Sequence, residues 1–371
     1  MSNLDFIPLM VPDIQQHDID AVVAVLQSGM LIQGSKVEEL ESNIAQYLGV
    51  RHAIAVSSGT ASLHLALVAF GIGRGDEVIV PAFSYIATAN VVELVGAKPV
   101  FVDIDFNTFN IDKNLIERAI TIKTKAIIPV HEFGLACDIR EICELAKINN
   151  IKIIEDAACA LGATENGKFT GTFGNVGSFS FHPRKAITSG EGGILVTDDD
   201  ELARKLRILR NHGIEIRDGK MEFVEAGFNY RLTDFQAALV NSQLGRLESI
   251  INYKEKLANI YFDELSQTNK IILPKVPQNK RHSWQSFHLV LDSIINRNEF
   301  IDNLRKQGVG TNYGAQCIPA MIYYKNKYHY HSEKEFPNAF KAYLCGIAIP
   351  LYSRLKEEQV KFISKTIIQS I

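Results

Sequence analysis

Between residues 50 and 235, short apolar segments alternate with longer stretches whose apolar residues recur every three or four positions. The short segments predict β-strands, because strands covered on both faces of a sheet read as continuous apolar runs. These predicted strands are His52–Val56, Glu77–Val80, Pro99–Asp103, Ala126–Val130, Lys152–Glu155, Val176–Phe181 and Gly193–Val196. The stretches between them predict helices at Ser62–Phe70, Tyr85–Val95, Asn114–Ala119, Ile139–Ile148 and Asp200–Asn211. This alternation favours an α/β fold, with a mainly parallel mixed sheet flanked by helices.

The pattern changes near residue 235, where long helices replace the alternation. The later predicted elements are helices at Ala237–Arg246, Ile250–Leu265, Asn298–Gln307, Phe336–Leu344 and Glu357–Ile368, and a strand at Ser286–Leu291. A chain of 371 residues is also too long for one ordinary compact core. We therefore predict a large α/β domain, residues 1–245, and a smaller C-terminal α+β domain, residues 246–371.

Composition and charge argue against several classes of protein. Lys plus Arg total 39 against 42 Asp plus Glu, so no strong positive field favours nucleic acid. No run of about 18 apolar residues is present, and the first ten residues lack the basic start of a secretory signal. The five cysteines lack the C-x-x-C spacing of a zinc or redox site. We expect a cytoplasmic protein with reduced thiols and no metal.

Two glycine-containing segments imitate nucleotide-binding motifs. Gly162–Phe169 has the outline of a phosphate-binding P-loop, but Phe169 stands where Ser or Thr should hold magnesium. The Glu-Asn-Gly-Lys run within it is more typical of a tight turn. Gly71, Gly73 and Gly75 have the wrong spacing for a dinucleotide fingerprint and precede a strand instead of following one. They are interpreted as a helix end and a connector.

The segment Ser57–Ser62 follows the first predicted strand and precedes a predicted helix. Free N–H groups at a helix start, together with small hydroxyl residues and Gly59, suit a phosphate. The same residues also suit an ordinary N-cap, so the segment by itself leaves both interpretations open.

Two acidic residues, Glu155 and Asp156, end an apolar predicted strand. A buried carboxylate is costly unless a cation pairs with it, and a protonated pyridinium nitrogen would be such a cation. The alternative is that Asp156 caps a following helix.

Lys185 lies in a loop rich in small residues between two predicted strands. Desolvation favours the free amine, which forms a Schiff base with an aldehyde. The alternative is a solvated surface lysine. A phosphate cradle, a buried acid and a loop lysine, in this order, are the three requirements of pyridoxal 5′-phosphate (PLP).

Five segments of the chain resemble the sugar aminotransferases of the DegT/DnrJ/EryC1/StrS family, which have the fold type I architecture of aspartate aminotransferase. These segments are SGTASLHLAL, GDEVIVPAFSYIATAN, IIEDAA, SFSFHPRKAITSGEGG and GFNYRLTDFQAA. The resemblance covers nearly the whole chain and weakens in the last third. It implies a PLP-dependent homodimer whose active sites are shared between subunits.

The resemblance also implies roles for individual residues. Lys185 would carry the cofactor and shuttle a proton, Asp156 would pair with the pyridinium nitrogen, and Tyr85 would stack on the ring. Asn229 would reach the phosphate from the neighbouring subunit. The implied cofactor-binding residues are Gly59, Thr60, Tyr85, Asp156, Cys159, Ser180, Lys185 and Asn229.

Several positions depart from the family pattern or have two interpretations. Cys159 stands where many relatives have Gln or His facing the cofactor oxygen, and Glu132 stands where an apolar residue is common. The alternative for Glu132 is a solvated loop charge. His182, Arg231 and Tyr313 are candidates for binding substrate. His182 otherwise packs within its loop, and Arg231 otherwise forms a structural ion pair.

The resemblance implies transfer of an amino group from glutamate, which leaves as 2-oxoglutarate, to a nucleotide-linked keto-sugar. The favoured acceptor is a 4-keto-6-deoxyhexose, giving a 4-amino-4,6-dideoxy sugar for surface polysaccharide or glycan synthesis, while amination at carbon 3 stays open. A sugar dehydratase of the same fold is disfavoured, because such relatives replace the lysine with histidine. A non-catalytic regulator is disfavoured because Lys185 and Asp156 are both present.

Overall fold

The apolar segments of the first 200 residues become the strands of one central sheet in the computed structural model, which describes residues 6–371. The strands are β1 (His52–Val56), β2 (Glu77–Pro81), β3 (Phe83–Ser84), β4 (Lys98–Val102), β5 (Thr124–Ile127), β6 (Lys152–Asp156), β7 (Thr164–Glu165), β8 (Lys168–Phe169), β9 (Val176–Ser180), β10 (Gly193–Thr197), β11 (Ile214–Arg217), β12 (Lys220–Phe223), β13 (Ile271–Ile272), β14 (Lys280–Arg281), β15 (Phe287–Leu291), β16 (Gln316–Cys317) and β17 (Gly346–Ile349).

The ten predicted helices begin and end within three residues of observed helices, and α1, α11 and α12 were not predicted. They are α1 (Gln16–Ser28), α2 (Ser35–Leu48), α3 (Gly59–Ala69), α4 (Ala87–Leu94), α5 (Lys113–Ala119), α6 (Ile139–Ile148), α7 (Asp200–Arg210), α8 (Asp234–Leu244), α9 (Leu247–Leu265), α10 (Arg297–Lys306), α11 (Ile322–Tyr328), α12 (Ser332–Glu335), α13 (Pro337–Cys345) and α14 (Glu357–Ser370). Two short 3₁₀ helices, Glu132–Gly134 and Ile318–Ala320, follow β5 and β16.

The central sheet has seven strands in the order β1-β10-β9-β6-β5-β2-β4. The five strands from β9 to β4 pair in parallel, while β10 is antiparallel to both of its neighbours, β1 and β9. Apolar residues are buried on both sides of the sheet, where the helices cover it. The prediction of an α/β fold with a mainly parallel mixed sheet is therefore confirmed.

Two helices show how the local sequence decides where each element packs. α3 is apolar around its whole circumference and is buried, with Leu63, Leu65 and Leu67 in the core. α2 instead has one apolar face, and its buried residues Val37 and Leu40 lie on that face. Its other face is polar and exposed.

The C-terminal part contains a three-stranded antiparallel sheet, β13-β15-β17, packed against α9, α10 and α14. α9 contributes to two cores, because Ile250 and Ile251 pack beneath the central sheet while Leu257 and Tyr261 pack in the C-terminal core. The division of the chain at residues 245 and 246 stays a prediction.

The two imitation motifs have the structures that were predicted for them. β7 and β8 form a hairpin whose two turn residues, Asn166 and Gly167, have φ angles of +48° and +76°. An Asn-Gly pair tolerates these left-handed angles. The segment that imitates a P-loop is therefore a β-hairpin with a tight turn. Gly71 follows the end of α3 with a φ of +69°.

Three expected features concern membranes, metals and thiols. Within residues 6–371, no helix is both long and apolar enough to cross a membrane. The same part of the chain contains no group of three or more potential metal-ligating side chains. All five cysteines are free thiols. The first five residues of the segment considered as a possible signal lie outside the described chain.

Candidate active site

Three loops meet at one edge of the central sheet. β6 and β9 are parallel, and β1 runs in the same direction because both β1 and β9 are antiparallel to β10. The carboxyl ends of these three strands are followed by Ala157–Leu161, Phe181–Gly192 and Ser57–Ser58 respectively. Ligands of open α/β sheets bind at the carboxyl ends of strands. The topology thus brings the three segments singled out in the sequence to one place.

Lys185 is half-buried in the loop between β9 and β10, and its Nζ donates a hydrogen bond to Sγ of Cys159 at 3.0 Å. The interpretation of a solvated surface lysine is therefore wrong. Burial acts to lower the pKa of the Lys185 ammonium, but Cys159, Asp156 and Glu132 outweigh it and raise the pKa. The expectation that desolvation alone would free the amine is corrected, because the neighbouring acids stabilise the cation.

Asp156 ends β6 and is only 5% exposed. Its Oδ2 accepts a hydrogen bond from Oγ1 of Thr88 at 2.8 Å, and its Oδ1 accepts one from the backbone N–H of Ala158 at 3.2 Å. Burial raises the pKa of Asp156, although Thr88, Ala158 and Lys185 oppose the rise. No helix begins directly after Asp156, because the next element of the described chain is the strand β7, so the N-cap interpretation is not observed. The carboxyl group is instead suited to a buried cation.

α3 begins directly after β1, at Gly59. Ser58 is its N-cap, and its Oγ accepts a hydrogen bond from the N–H of Ala61 at 3.0 Å. A methyl group at Gly59 would lie 2.9 Å from Cβ and 3.3 Å from Oγ of Ser180. Glycine thus keeps open the space between the start of the helix and the Ser180 hydroxyl. The N-cap interpretation is therefore confirmed. The first-turn amides of Gly59 and Thr60 are still available to an anion, and the phosphate interpretation stays a prediction.

Glu132 is the site residue whose position the sequence interpretation missed. It lies in the 3₁₀ helix after β5 and is 5% exposed, so the interpretation of a solvated loop charge is wrong. Its Oε2 is buried and has no hydrogen-bond partner within residues 6–371. Burial and the nearby Asp156 raise the pKa of Glu132 to about 8, against the opposing effect of Lys185.

Thr88 was also not identified from the sequence. It lies in the first turn of α4, three residues after Tyr85. Residues three apart are neighbours on a helix, so the position of Thr88 relative to Tyr85 was the available signal. Tyr85 itself follows β3 and is 67% exposed. Its ring is therefore free to contact a ligand at this edge.

The two candidates in the segment before α8 flank Tyr230, whose backbone carbonyl accepts a hydrogen bond from the N–H of Ser57 at 2.8 Å. Asn229 is exposed and forms a β-bridge with Asn211. Arg231 is half-buried and its Nη1 donates to Oδ1 of Asn211 at 2.6 Å. Arg231 forms no ion pair with any described residue, so the structural ion-pair interpretation is not observed.

The remaining candidates differ in where they lie. His182 is half-buried three residues before Lys185, and its Nδ1 accepts a hydrogen bond from the N–H of Arg184 at 3.2 Å. Burial lowers the pKa of His182. Tyr313 contacts Tyr343 and lies beneath the guanidinium of Arg297, with separations of 6.2 Å and 5.5 Å from its ring centre. These contacts are with residues of the C-terminal part of the chain.

The side chains and the helix start at this sheet edge fit the functional groups of PLP. A primary amine, a buried acid and a helix start with an open glycine lie at one sheet edge. These groups match an aldehyde, a pyridine nitrogen and a phosphate respectively. The buried Oε2 of Glu132 adds a polar atom whose partner is not supplied by the described chain.

Comparisons with known proteins agree with this chemistry. A family model described as the DegT/DnrJ/EryC1/StrS aminotransferase family matches residues 12–368. The chain is 42% identical over 313 residues to GDP-perosamine synthase of Caulobacter vibrioides, covering 83% of this chain and 84% of that protein. It is 38% identical over 370 residues to the spore coat polysaccharide biosynthesis protein SpsC of Bacillus subtilis, covering 96% and 94%.

A solved structure gives the same comparison in three dimensions. The PLP-form of Spr1654 from Streptococcus pneumoniae superimposes with a TM-score of 0.92 at 32% identity. The match covers 98% of each chain. The two folds therefore agree over both the central sheet and the C-terminal part.

Proposed function

The chain belongs to the DegT/DnrJ/EryC1/StrS aminotransferase family, and on that premise we propose that it transfers an amino group from glutamate to a nucleotide-linked 4-keto-6-deoxyhexose. It is a PLP-dependent aminotransferase with the fold type I architecture. Its activity is that of a sugar aminotransferase of polysaccharide or sugar biosynthesis. The proposed product is a 4-amino-4,6-dideoxy sugar, with 2-oxoglutarate released from the donor.

The observation that carries the residue assignment is the meeting of Lys185, Asp156 and the start of α3 at one sheet edge. Bound PLP supplies an electron sink that stores the amino group between the two halves of the reaction. Lys185 would hold the cofactor through its Nζ and carry a proton while the amine is free. Asp156 would keep the pyridine nitrogen protonated, because a buried carboxylate favours a neighbouring cation.

The phosphate would be bound at the start of α3. The first-turn amides of Gly59 and Thr60 and the hydroxyl of Ser180 supply neutral donors there, and the positive end of the helix dipole favours an anion. Tyr85 would stack on the ring, and Cys159 would face the cofactor beside Lys185. His182, Arg231 and Tyr313 stay candidates for the nucleotide-sugar.

A homodimer with shared sites forms part of the proposal. The hairpin of β11 and β12 exposes Ile216, Met221 and Phe223, although these side chains are large and apolar. Such a patch favours contact with another protein surface. Asn229, also exposed, would reach the phosphate of the partner's cofactor in that dimer. Light scattering of the purified protein tests this, and a monomer at all concentrations would contradict it.

The sugar is the part of the proposal supported only by the relatives. The name of the relative GDP-perosamine synthase describes a GDP-linked product, and this supports a nucleotide-linked acceptor. Amination at carbon 4 is favoured over carbon 3 by the family resemblance alone. A cytoplasmic location stays a prediction.

The test is a panel of UDP-, GDP- and dTDP-linked keto-sugars incubated with the PLP-loaded protein and glutamate. We expect a product whose mass shows replacement of one carbonyl oxygen by an amino group, with 2-oxoglutarate formed in equal amount. Lys185→Ala should form no product, whereas Lys361→Ala, which changes an exposed lysine of α14, should behave like the unmodified protein. Glutamate consumption without an aminated sugar nucleotide would contradict the proposed acceptor.

A further inference from the structure

The Glu132 carboxyl group is a buried acid that has no role in the assignments above. Its backbone N–H donates to Oδ1 of Asn110 at 2.8 Å, and the Asn110 amide donates to the carbonyls of Leu135 and Ala136 at 3.1 and 3.3 Å. Asn110 is itself buried and therefore clamps both ends of the short helix that carries Glu132. The position of this acid is thus fixed by the fold.

The same loop is tied to the site from its other side. Oγ of Ser283 donates to the carbonyls of Gly134 and Cys159, at 3.4 and 3.2 Å, and so joins the Glu132 loop to the residue that contacts Lys185. Phe133 has a φ of +54°, which is costly for a residue with a side chain, and its ring stacks on His288 at 4.5 Å. A strained backbone that is held this firmly is typical of a functional site.

The charged groups around Glu132 come from two elements. Asp156 at the end of β6 disfavours its carboxylate form, and Lys185 from the loop after β9 favours it. Cys159 is a further neighbour, because Glu132 contributes to raising the pKa of its thiol, second to burial and against Lys185. Once Asp156 pairs with a pyridine nitrogen, Glu132 is the carboxyl group that still acts on Lys185, beside the Cys159 thiol.

We propose that Glu132 is a positioning residue that acts through Lys185: its carboxylate stabilises the positive charge on the lysine nitrogen and so raises the pH at which that nitrogen loses its proton. The proposal rests on the assignment of Lys185 as the cofactor-binding lysine. A buried pair that keeps zero net charge avoids the cost of an uncompensated ion in a low-dielectric site.

The pH dependence of the visible absorbance of bound PLP tests this proposal without measuring turnover. Glu132→Gln keeps the size and polarity of the side chain but removes its charge. Since the carboxylate stabilises the positive nitrogen, we expect the midpoint of the absorbance change to move to lower pH by roughly 0.5–1 unit in Glu132→Gln. Glu132→Asp, which restores the charge, should recover at least half of the shift.

The control variant is Glu358→Gln, which removes an exposed carboxylate on α14 and should leave the midpoint unchanged. Coincident titrations of Glu132→Gln and the unmodified protein would overturn the proposal, as would an equal shift in Glu132→Asp and Glu132→Gln. Lys185→Ala tests the assignment of the cofactor-binding lysine separately from the role of Glu132. If Lys185→Ala retains the unmodified spectrum, the lysine assignment itself fails; if only the Glu132→Gln titration is unchanged, this inference alone fails.

Discussion

Glu155 and Asp156 are adjacent buried acids on β6, and their surroundings differ completely. Successive side chains of a strand point to opposite faces of the sheet. Glu155 is fully bonded: its Oε2 contacts His131 Nε2 at 2.9 Å and accepts from Gly171 N–H at 2.8 Å. Its Oε1 accepts from the N–H groups of Phe173 and Gly174, both at 2.7 Å.

Asp156 has two neutral donors, and the nearby Glu132 has a buried oxygen with no partner in the described chain. A buried acid that is fully bonded contributes to the fold, whereas one that is incompletely bonded must be compensated by something else. The comparison teaches that burial alone does not identify a site; what separates the two acids is the number of contacts that each carboxyl group makes, four for Glu155 and two for Asp156.

The largest expected effect is on catalysis by Asp156→Asn. The amide keeps the shape but cannot hold a pyridine nitrogen protonated, so we expect kcat/KM for glutamate to fall by roughly 100- to 1,000-fold. The thermal midpoint of the cofactor-free variant should stay the same or rise, because an unpaired buried acid has been removed. Steady-state kinetics and calorimetry measure the two effects.

Glu155→Gln is the matched change on the other face of the sheet, and it should lower the stability of the protein much more than its activity. Replacing the carboxylate disturbs four contacts in a buried network, so the free energy of unfolding should fall by about 3 kcal/mol. The activity per folded molecule should change less than threefold. Denaturant unfolding and kinetics at low temperature decide this, and a catalytic loss equal to that of Asp156→Asn would break the comparison.

Glu132 should have a smaller effect, on the pH dependence of the stability of the cofactor-free protein. The pKa of this acid is raised to about 8 in the folded chain, so the folded state binds more protons than the unfolded state between the two pKa values. The stability of the cofactor-free protein should therefore decrease as the pH rises through that window. Glu132→Gln should remove this component and be the more stable of the two proteins above that window. Parallel stability–pH curves for the two proteins would contradict the burial argument.

The smallest effect is expected for Thr88→Val, which removes the hydroxyl that donates to Asp156. Loss of one hydrogen bond to a charged group should lower kcat/KM by about 5- to 20-fold. Thr88→Ser keeps the hydroxyl and should lie within twofold of the unmodified protein. Equal losses in both variants would show that the methyl packing of Thr88 matters more than its hydrogen bond.

The sequence predicted the central sheet well because parallel strands covered on both faces have a strong local signature. Every predicted strand of that sheet lies within three residues of an observed one. The hairpin of β7 and β8 was also predictable, because Asn166 and Gly167 are the residues that its turn requires. Such features depend on neighbours in the sequence alone.

The features that were missed depend on contacts distant in the sequence. α1 exposes Ile19, Val23 and Leu26 and is held by an ion pair between Asp18 and Arg246 at 2.8 Å, so its own pattern was uninformative. β12 is exposed along its whole length and β11 is exposed in its second half, and neither strand has a buried residue that faces a core. Glu132 lies in a short polar-looking loop, and only the clamp from Asn110 reveals that it is buried.

The central claim is that one amine, on Lys185, carries the cofactor at the edge where Asp156 lies. Borohydride reduction of the PLP-loaded protein fixes the cofactor on whichever amine holds it, and peptide mass spectrometry then locates it. We expect the added pyridoxyl phosphate mass on the peptide that contains Lys185, and on no peptide of Lys185→Ala. The same mass on another lysine, such as the buried Lys254, would contradict the assignment.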